Sequence, residues 1–281
     1  MKSYLVTINP LDVFLWTFRR NQKDVVNLYN TLSPVMQIAT GGNMLNFGYW
    51  DENNTDPISA QKNLCSYFAD MAKLSSAQQI IDVGSGLSGP AIYWMEKFDH
   101  LSVNCVNINY SQLHLGKQPD IESINSSSTR LPFADNSVDR VLALESAQHF
   151  KPVSEFLLES KRVLNDSGFL VLAIPITMNS SSVSRLGILK FTWSSEHYSI
   201  DQIRNFVDVA GFTITEEKFI GSSVYDPLAD FYIHNRTQLR KSILNQYPSY
   251  VESILFKSIK KMKKASEQKI IDYVLLKCHL K

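Results

Sequence analysis

A chain of 281 residues with 28 Lys and Arg against 27 Asp and Glu has a formal net charge of +1, too balanced for a protein whose main partner is nucleic acid. That length holds one substantial core, so a single α/β domain over 1–281 fits better than two independent ones. Cys65, Cys105 and Cys278 are an odd, scattered set. They predict reduced core thiols of a cytoplasmic protein, not a disulfide framework or a metal site. No stretch approaches a membrane span, and the opening Met-Lys-Ser-Tyr-Leu-Val-Thr lacks the sustained apolar run of a signal peptide.

From 11 to 38, Val13, Phe14, Trp16, Phe18, Val25, Val26, Leu28, Tyr29 and Leu32 alternate with basic residues, which predicts helical pieces broken near Pro34. Residues 41–51, Gly-Gly-Asn-Met-Leu-Asn-Phe-Gly-Tyr-Trp-Asp, form a glycine- and aromatic-rich loop that is costly to expose. A helix over 59–74 leads into the most informative stretch, residues 80–91. There Ile80, Ile81 and Val83 read as a strand, Gly84 and Gly86 as a tight turn, and Ser88 with Pro90 as a helix start. Backbone N–H groups of such a turn favour an anionic group, and Asp82 adds a carboxylate at the strand's end. Ala91, Trp94, Met95 and Phe98 then mark one buried helical face.

Further strands are expected at 101–107, 121–124, 140–144 and 169–174, with helices at 111–116 and 152–164. Alternating strands and helices predict a parallel sheet that binds ligands at its strands' carboxyl ends. Past Pro175 come a serine-rich segment, an aromatic cluster with Phe191, Trp193, His197 and Tyr198, a helix at 200–210 and a sixth strand at 212–220. A helical insertion at 225–265 and a final strand at 270–279 close the chain. Within the insertion Val251, Ile254, Leu255, Ile259 and Met262 form an inner face, and Lys257, Lys260, Lys261, Lys263 and Lys264 an outer one.

Gly84, Gly86 and Gly89 also spell the dinucleotide fingerprint. A nicotinamide site needs an acidic residue at the end of the next strand, and that strand ends in Asn107-Ile108-Asn109, so an oxidoreductase is disfavoured. The Asp-Val-Gly-Ser-Gly form instead resembles the first motif of class I S-adenosylmethionine-dependent methyltransferases. Three more stretches carry the resemblance: Arg130-Leu131-Pro132-Phe133 with Asp139 before strand four, Glu145-Ser146-Ala147-Gln148-His149 after it, and the Arg162-Val163-Leu164-Asn165-Asp166-Ser167-Gly168 turn. With the Gly-Tyr-Trp segment and the late insertion, the chain most resembles the branch that acts on small molecules such as sugars, polyketides and sterols.

The resemblance implies a Rossmann-like seven-strand sheet, mostly parallel with the last strand antiparallel. Its helical lid covers 1–75, its cofactor-binding core 76–221 and 266–281, and its cap 222–265. It also implies S-adenosylmethionine as cofactor, with S-adenosylhomocysteine as product. Cofactor contacts are expected from Tyr49 and Trp50 as aromatic lid, Asp82, Gly84, Ser85 and Gly86 at the turn, Asn107, Gln112, Ser127, Ser128, Thr129 and Glu145. Two positions depart from the family: Asn107 replaces the acid on the ribose, and Ser127 the acid near adenine. An amide accepts a hydroxyl without charge assistance, so weak cofactor affinity is expected, and a non-catalytic scaffold of the same fold is the rival reading. His149 is the candidate general base, since a histidine titrates near neutrality. His197, Tyr198 and Tyr225 are candidate acceptor contacts. The remaining histidines show no ligand-like spacing, so no metal is expected. Where nucleic-acid amino-methyltransferases carry Asn/Asp-Pro-Pro-Tyr/Phe, this chain reads Glu-Ser-Ala-Gln. The acceptor is therefore expected to be a small molecule, with oxygen slightly favoured over nitrogen and carbon, and monomer and homodimer both remain open.

Overall fold

The computed structural model describes residues 15, 18–193 and 195–281. The opening residues on which the signal-peptide reading rests, and Val13, Phe14 and Trp16, lie outside the described residues.

Helix α1 (Gln22–Thr40) begins at a reciprocal cap: the Asn21 side chain accepts the Asp24 N–H at 3.0 Å while the Asp24 carboxylate accepts the Asn21 N–H at 3.1 Å. It runs through Pro34, where a break was expected. A proline inside a helix removes one backbone bond. Here buried Leu28 and Val35 anchor the helix on both sides of Pro34, so packing outweighs that loss. Helix α2 (Pro57–Met71) is capped by Asp56, with Pro57 in its first turn, and buries Ala60, Leu64, Cys65 and Phe68.

Strand β1 (Gln79–Val83) is followed by α3 (Gly89–Lys97), β2 (Ser102–Asn107), α4 (Tyr110–Leu115), β3 (Glu122–Asn125), β4 (Val138–Leu144), α5 (Val153–Val163) and β5 (Leu164–Thr177). Then come α6 (Leu189–Thr192), α7 (Ile200–Val209), β6 (Phe212–Phe219), α8 (Gly221–His234), α9 (Arg236–Leu244), α10 (Ser249–Glu267) and β7 (Ile271–Leu280). Two further details differ from the sequence reading. Strand β5 starts at Leu164, because the Asp166-Ser167-Gly168 turn is absorbed as an irregularity between the Val138–Leu164 and Arg140–Phe169 pairings. Ser88 does not cap α3: it is left-handed, with φ 59°, and its hydroxyl makes no capping bond.

The sheet order is β3-β2-β1-β4-β5-β7-β6, with β7 antiparallel to both neighbours and the β1–β5 pairings parallel. Alternation along the strands builds two apolar layers. Leu142 and Leu144 of β4 face Phe68, Trp94 and Tyr225 on one side, while Val141 and Ala143 face Phe156, Leu157 and Ile203 on the other. The three cysteines are free and buried in these layers. The chain leaves β1 toward β2 and β3 and returns at β4. This places the crevice of the sheet at the carboxyl ends of β1 and β4. A smaller cluster, Val35 with Ile243, Tyr247 and Val251, ties α1 to the insertion across that crevice. Among the described residues no helix is long and apolar enough to cross a membrane.

The turn after β1 depends on Gly84, which has φ 77° and where a Cβ would collide with that of Ser146. Gly84→Ala is expected to lower unfolding free energy by about 2–3 kcal/mol. Gly86→Ala, with φ 59° but only Leu45 Cδ1 near, at 3.7 Å, is expected to lose about 1 kcal/mol. Urea unfolding of both variants checks the order.

Candidate active site

A cavity of about 560 Å³ opens over the carboxyl ends of β1, β2 and β4, between α1 and α10. This size suits a small organic ligand, for which pockets run roughly 300–1,000 Å³. One end is polar, with Gly84, Ser85 and Gly86 of the glycine turn, Asn107 and Gln112 after β2, Ser127 and Ser128 after β3, and Glu145 after β4. The other is apolar, walled by Leu28, Leu32, Val35 and Met36 of α1 and by Val251, Leu255, Ile259 and Met262 of α10.

At the polar end the amides are already engaged. Asn107 Nδ2 donates to the Gly86 carbonyl at 3.2 Å and to Gln112 Oε1 at 3.1 Å, and its Oδ1 accepts the Asn109 N–H at 3.2 Å. Gln112 donates to Ser33 Oγ of α1 at 3.1 Å. Ser127 Oγ accepts from Gln22 Nε2 at 2.8 Å and lies 2.9 Å from Thr129 Oγ1. The buried Ser85 hydroxyl has no nitrogen or oxygen partner among the described residues and faces the Cys105 thiol.

Glu145 leaves β4 with φ 54°, a left-handed conformation rare outside glycine. Its carboxyl accepts the Phe47 N–H at 2.9 and 3.1 Å and the Tyr273 hydroxyl at 2.9 Å. Burial pushes this carboxyl up to about 8, against the two donors, which pull it down. Four residues on, His149 Nε2 lies 2.9 Å from the Tyr29 hydroxyl of α1, the rings edge to face. Burial lowers this imidazole to about 4, helped by His197 and Arg20, so it is neutral at pH 7. Burial, and then the charge of Glu145, raise the Tyr29 phenol. Both residues line the cavity.

Of the expected site residues, Gly84, Ser85, Gly86, Asn107, Gln112, Ser127, Ser128, Glu145 and His149 come together here. Seven do not line the cavity. Tyr49 stacks on Tyr67, centroids 5.1 Å apart, and Trp50 packs on Phe231 at 5.8 Å. The glycine-rich loop reaches the cavity through Asn43, Leu45, Asn46 and Phe47 instead. Asp82 is buried behind the turn, its carboxyl pushed up to about 7 by that burial. Thr129 stands behind Ser127. His197 sits beyond Trp193 and Tyr198 against Phe206. Tyr225 is wholly buried between Phe47, Trp193 and Tyr273 and donates to the Asp272 carbonyl at 3.2 Å. The sequence reading missed Tyr29 as a polar group, because in α1 it falls among apolar positions and its partner lies 120 residues away. It likewise missed Gln22 and Tyr273. Among the described residues no group of three His, Cys, Asp or Glu is placed to hold a metal.

Residues 81–172 match the family described as methyltransferase domain. Erythromycin 3''-O-methyltransferase of Saccharopolyspora erythraea is 25% identical over 267 residues, covering 86% of each chain. Methyltransferase GfsG of Streptomyces halstedii is 25% identical over 208 residues, 69% of this chain and 74% of its own. The solved cyclopropane synthase MmaA2 of Mycobacterium tuberculosis shares the fold, with a TM-score of 0.78 at 14% identity over 92% of this chain and 98% of its own.

Glu145 holds its proton more tightly folded than unfolded, since its carboxyl rises from 4.5 to about 8. Stability from this group is therefore full below pH 4.5 and is lost as pH rises through 8. Glu145→Gln keeps an acceptor for Phe47 and Tyr273 and removes the titration. Its urea midpoint is expected to fall less between pH 5 and pH 8, as an order-of-magnitude window of about three pH units, than that of the natural chain.

Proposed function

We propose that the chain, a small-molecule S-adenosylmethionine-dependent methyltransferase by its matched domain and its relatives, methylates a hydroxyl of a largely apolar acceptor. The observation that carries this reading is the Tyr29–His149 pair at 2.9 Å in the cavity wall.

S-adenosylmethionine, when bound, supplies an electrophilic methyl group on a sulfonium. The groups that would hold it are the turn at Gly84, Ser85 and Gly86, the engaged amides of Asn107 and Gln112, the hydroxyls of Ser127 and Ser128, and Glu145. They fit such a molecule: the turn leaves room beside Gly86, where a Cβ would meet only Leu45 Cδ1 at 3.7 Å, and the strand ends around it are lined by neutral hydroxyl and amide groups. Asn107 and Ser127 offer neutral acceptors where relatives of the family carry acids, so affinity is set lower by the missing charge assistance.

The chain's own residues then have two tasks. Leu28, Leu32, Val35 and Met36, with Val251, Leu255, Ile259 and Met262, exclude water and orient the acceptor's apolar body. His149 takes the proton that leaves the acceptor. Its Nε2 already meets Tyr29, so the acceptor hydroxyl passes its proton to the Tyr29 oxygen as the Tyr29 proton moves to His149 Nε2, leaving an imidazolium. The imidazole is neutral at pH 7 and free to accept, but burial makes it a weaker base than the near-neutral histidine expected from the sequence. The name of the Saccharopolyspora relative, an O-methyltransferase, supports oxygen as the acceptor atom.

His149→Ala is expected to lower kcat roughly 100-fold or more, and Tyr29→Phe roughly 10-fold or more, both with S-adenosylhomocysteine affinity within about twofold by calorimetry. Turnover of H149A equal to the natural chain's, or a carbon- or nitrogen-methylated product from a hydroxylated acceptor, would overturn the reading. Because His149 titrates near 4, kcat/KM is expected to stay level on the acid side down to about pH 5 and to fall below it.

A further inference from the structure

Helix α10 presents two kinds of residue on one outward stripe. Tyr250, Ile254, Lys257, Lys261 and Lys264 follow one another at helical spacing and share a face. Tyr250 and Ile254 line the cavity and are yet 47% and 43% exposed, so they form its lip, with Phe191 of α6, 50% exposed, as a third apolar wall residue open to solvent. Behind this lip the stripe is basic. Lys257, Lys261 and Lys264 make no ion pair among the described residues, whereas Lys263, off the stripe, is held by Asp230. Lys261 lies against Gly187, beside the segment that carries Arg185 and Lys190.

None of the five stripe residues is acidic, and the two acids of α10 are engaged elsewhere, Glu267 near Lys263. Glu252 of α10 is fully buried, bound by Arg236 at 2.8 Å and Arg240 at 3.4 Å. Residues 221–267 hold eight basic and four acidic residues in a chain whose net charge is only +1. Five of the eight, all lysine, lie on α10, the element that borders the cavity, against Glu252 and Glu267.

We propose that this lip docks on an anionic lipid surface, with the α10 stripe against the headgroups and Tyr250, Ile254 and Phe191 at the acyl boundary. An exposed apolar rim joined to an apolar cavity is stabilised when it meets an apolar phase. Lysines attract anionic headgroups, and their flexible stems follow a fluid surface. A docked acidic protein would be better served by the rigid forks of arginine, yet the three stripe cations are all lysine. The acceptor then passes from bilayer to cavity without crossing water. This route, though not the surface itself, rests on the apolar acceptor proposed above.

The test is sedimentation of the full chain with vesicles of phosphatidylcholine alone or mixed with phosphatidylglycerol. The chain is expected to sediment with the mixed vesicles only and to be released by high salt. The variant Lys257→Glu/Lys261→Glu/Lys264→Glu is expected to partition roughly a hundredfold less, and unchanged S-adenosylhomocysteine binding will show that it is folded. Should it not fold, Lys257→Gln/Lys264→Gln is measured in its place, with a smaller loss expected. A natural chain that stays in the supernatant with anionic vesicles, or folded lysine variants that sediment as well as it does, overturns the proposal. Neither result bears on methyl transfer, which sedimentation does not measure.

Discussion

The Glu145 carboxyl joins three distant parts of the chain at the point where β4 ends. It accepts the Phe47 N–H from the amino-terminal loop and the Tyr273 hydroxyl from β7, and the left-handed backbone that aims it there is one a non-glycine residue adopts only under constraint. Its neighbour Ser146 donates to the Val83 carbonyl at 2.6 Å, and Gln148 returns a bond to the Glu145 carbonyl at the same distance. Glycine turn, loop and sheet edge are thereby held in one arrangement. The short turn at Ala147–His149 then sets the imidazole in the cavity wall, so the position of His149 follows from that of Glu145.

The cavity is completed by elements outside the alternating core. Helix α1 supplies Tyr29 and the apolar wall opposite the strand ends, and the insertion supplies α10. Neither could form that wall alone. They are clasped by Val35, Ile243, Tyr247 and Val251, and α1 is further bound to the strand ends through Gln22 to Ser127 and Ser33 to Gln112. Polar bonds at one end and apolar packing at the other match the two ends of the cavity they enclose.

The polar network also gives a physical account of Asn107. A carboxylate buried among the Gly86 carbonyl and the Gln112 amide oxygen would face two acceptors, whereas the amide donates to both. This position therefore favours internal satisfaction over charge-assisted contact with a ligand. The same economy appears at Ser127, whose hydroxyl serves α1.

The amino-acid sequence by itself determined the order and type of the core elements. The short apolar run of Ile80, Ile81 and Val83 and the 3.6-residue spacing of Ala91, Trp94 and Met95 are local signals, and local backbone chemistry reads them. It also located the glycine turn through its residue types, and the resemblance to the methyltransferases located the segment from Glu145 to His149. Tertiary structure decided the rest. Pro34 reads locally as a break, and only burial of Leu28 and Val35 keeps the helix whole. Tyr49, Trp50 and Tyr225 read as pocket aromatics, yet they found partners in Tyr67, Phe231 and Tyr273, Trp50 and Tyr225 within the core and Tyr49 at its edge. Tyr29 meets His149 across 120 residues. A contact of that separation leaves no periodicity in a single chain, because it exists only once two independently formed elements have packed together.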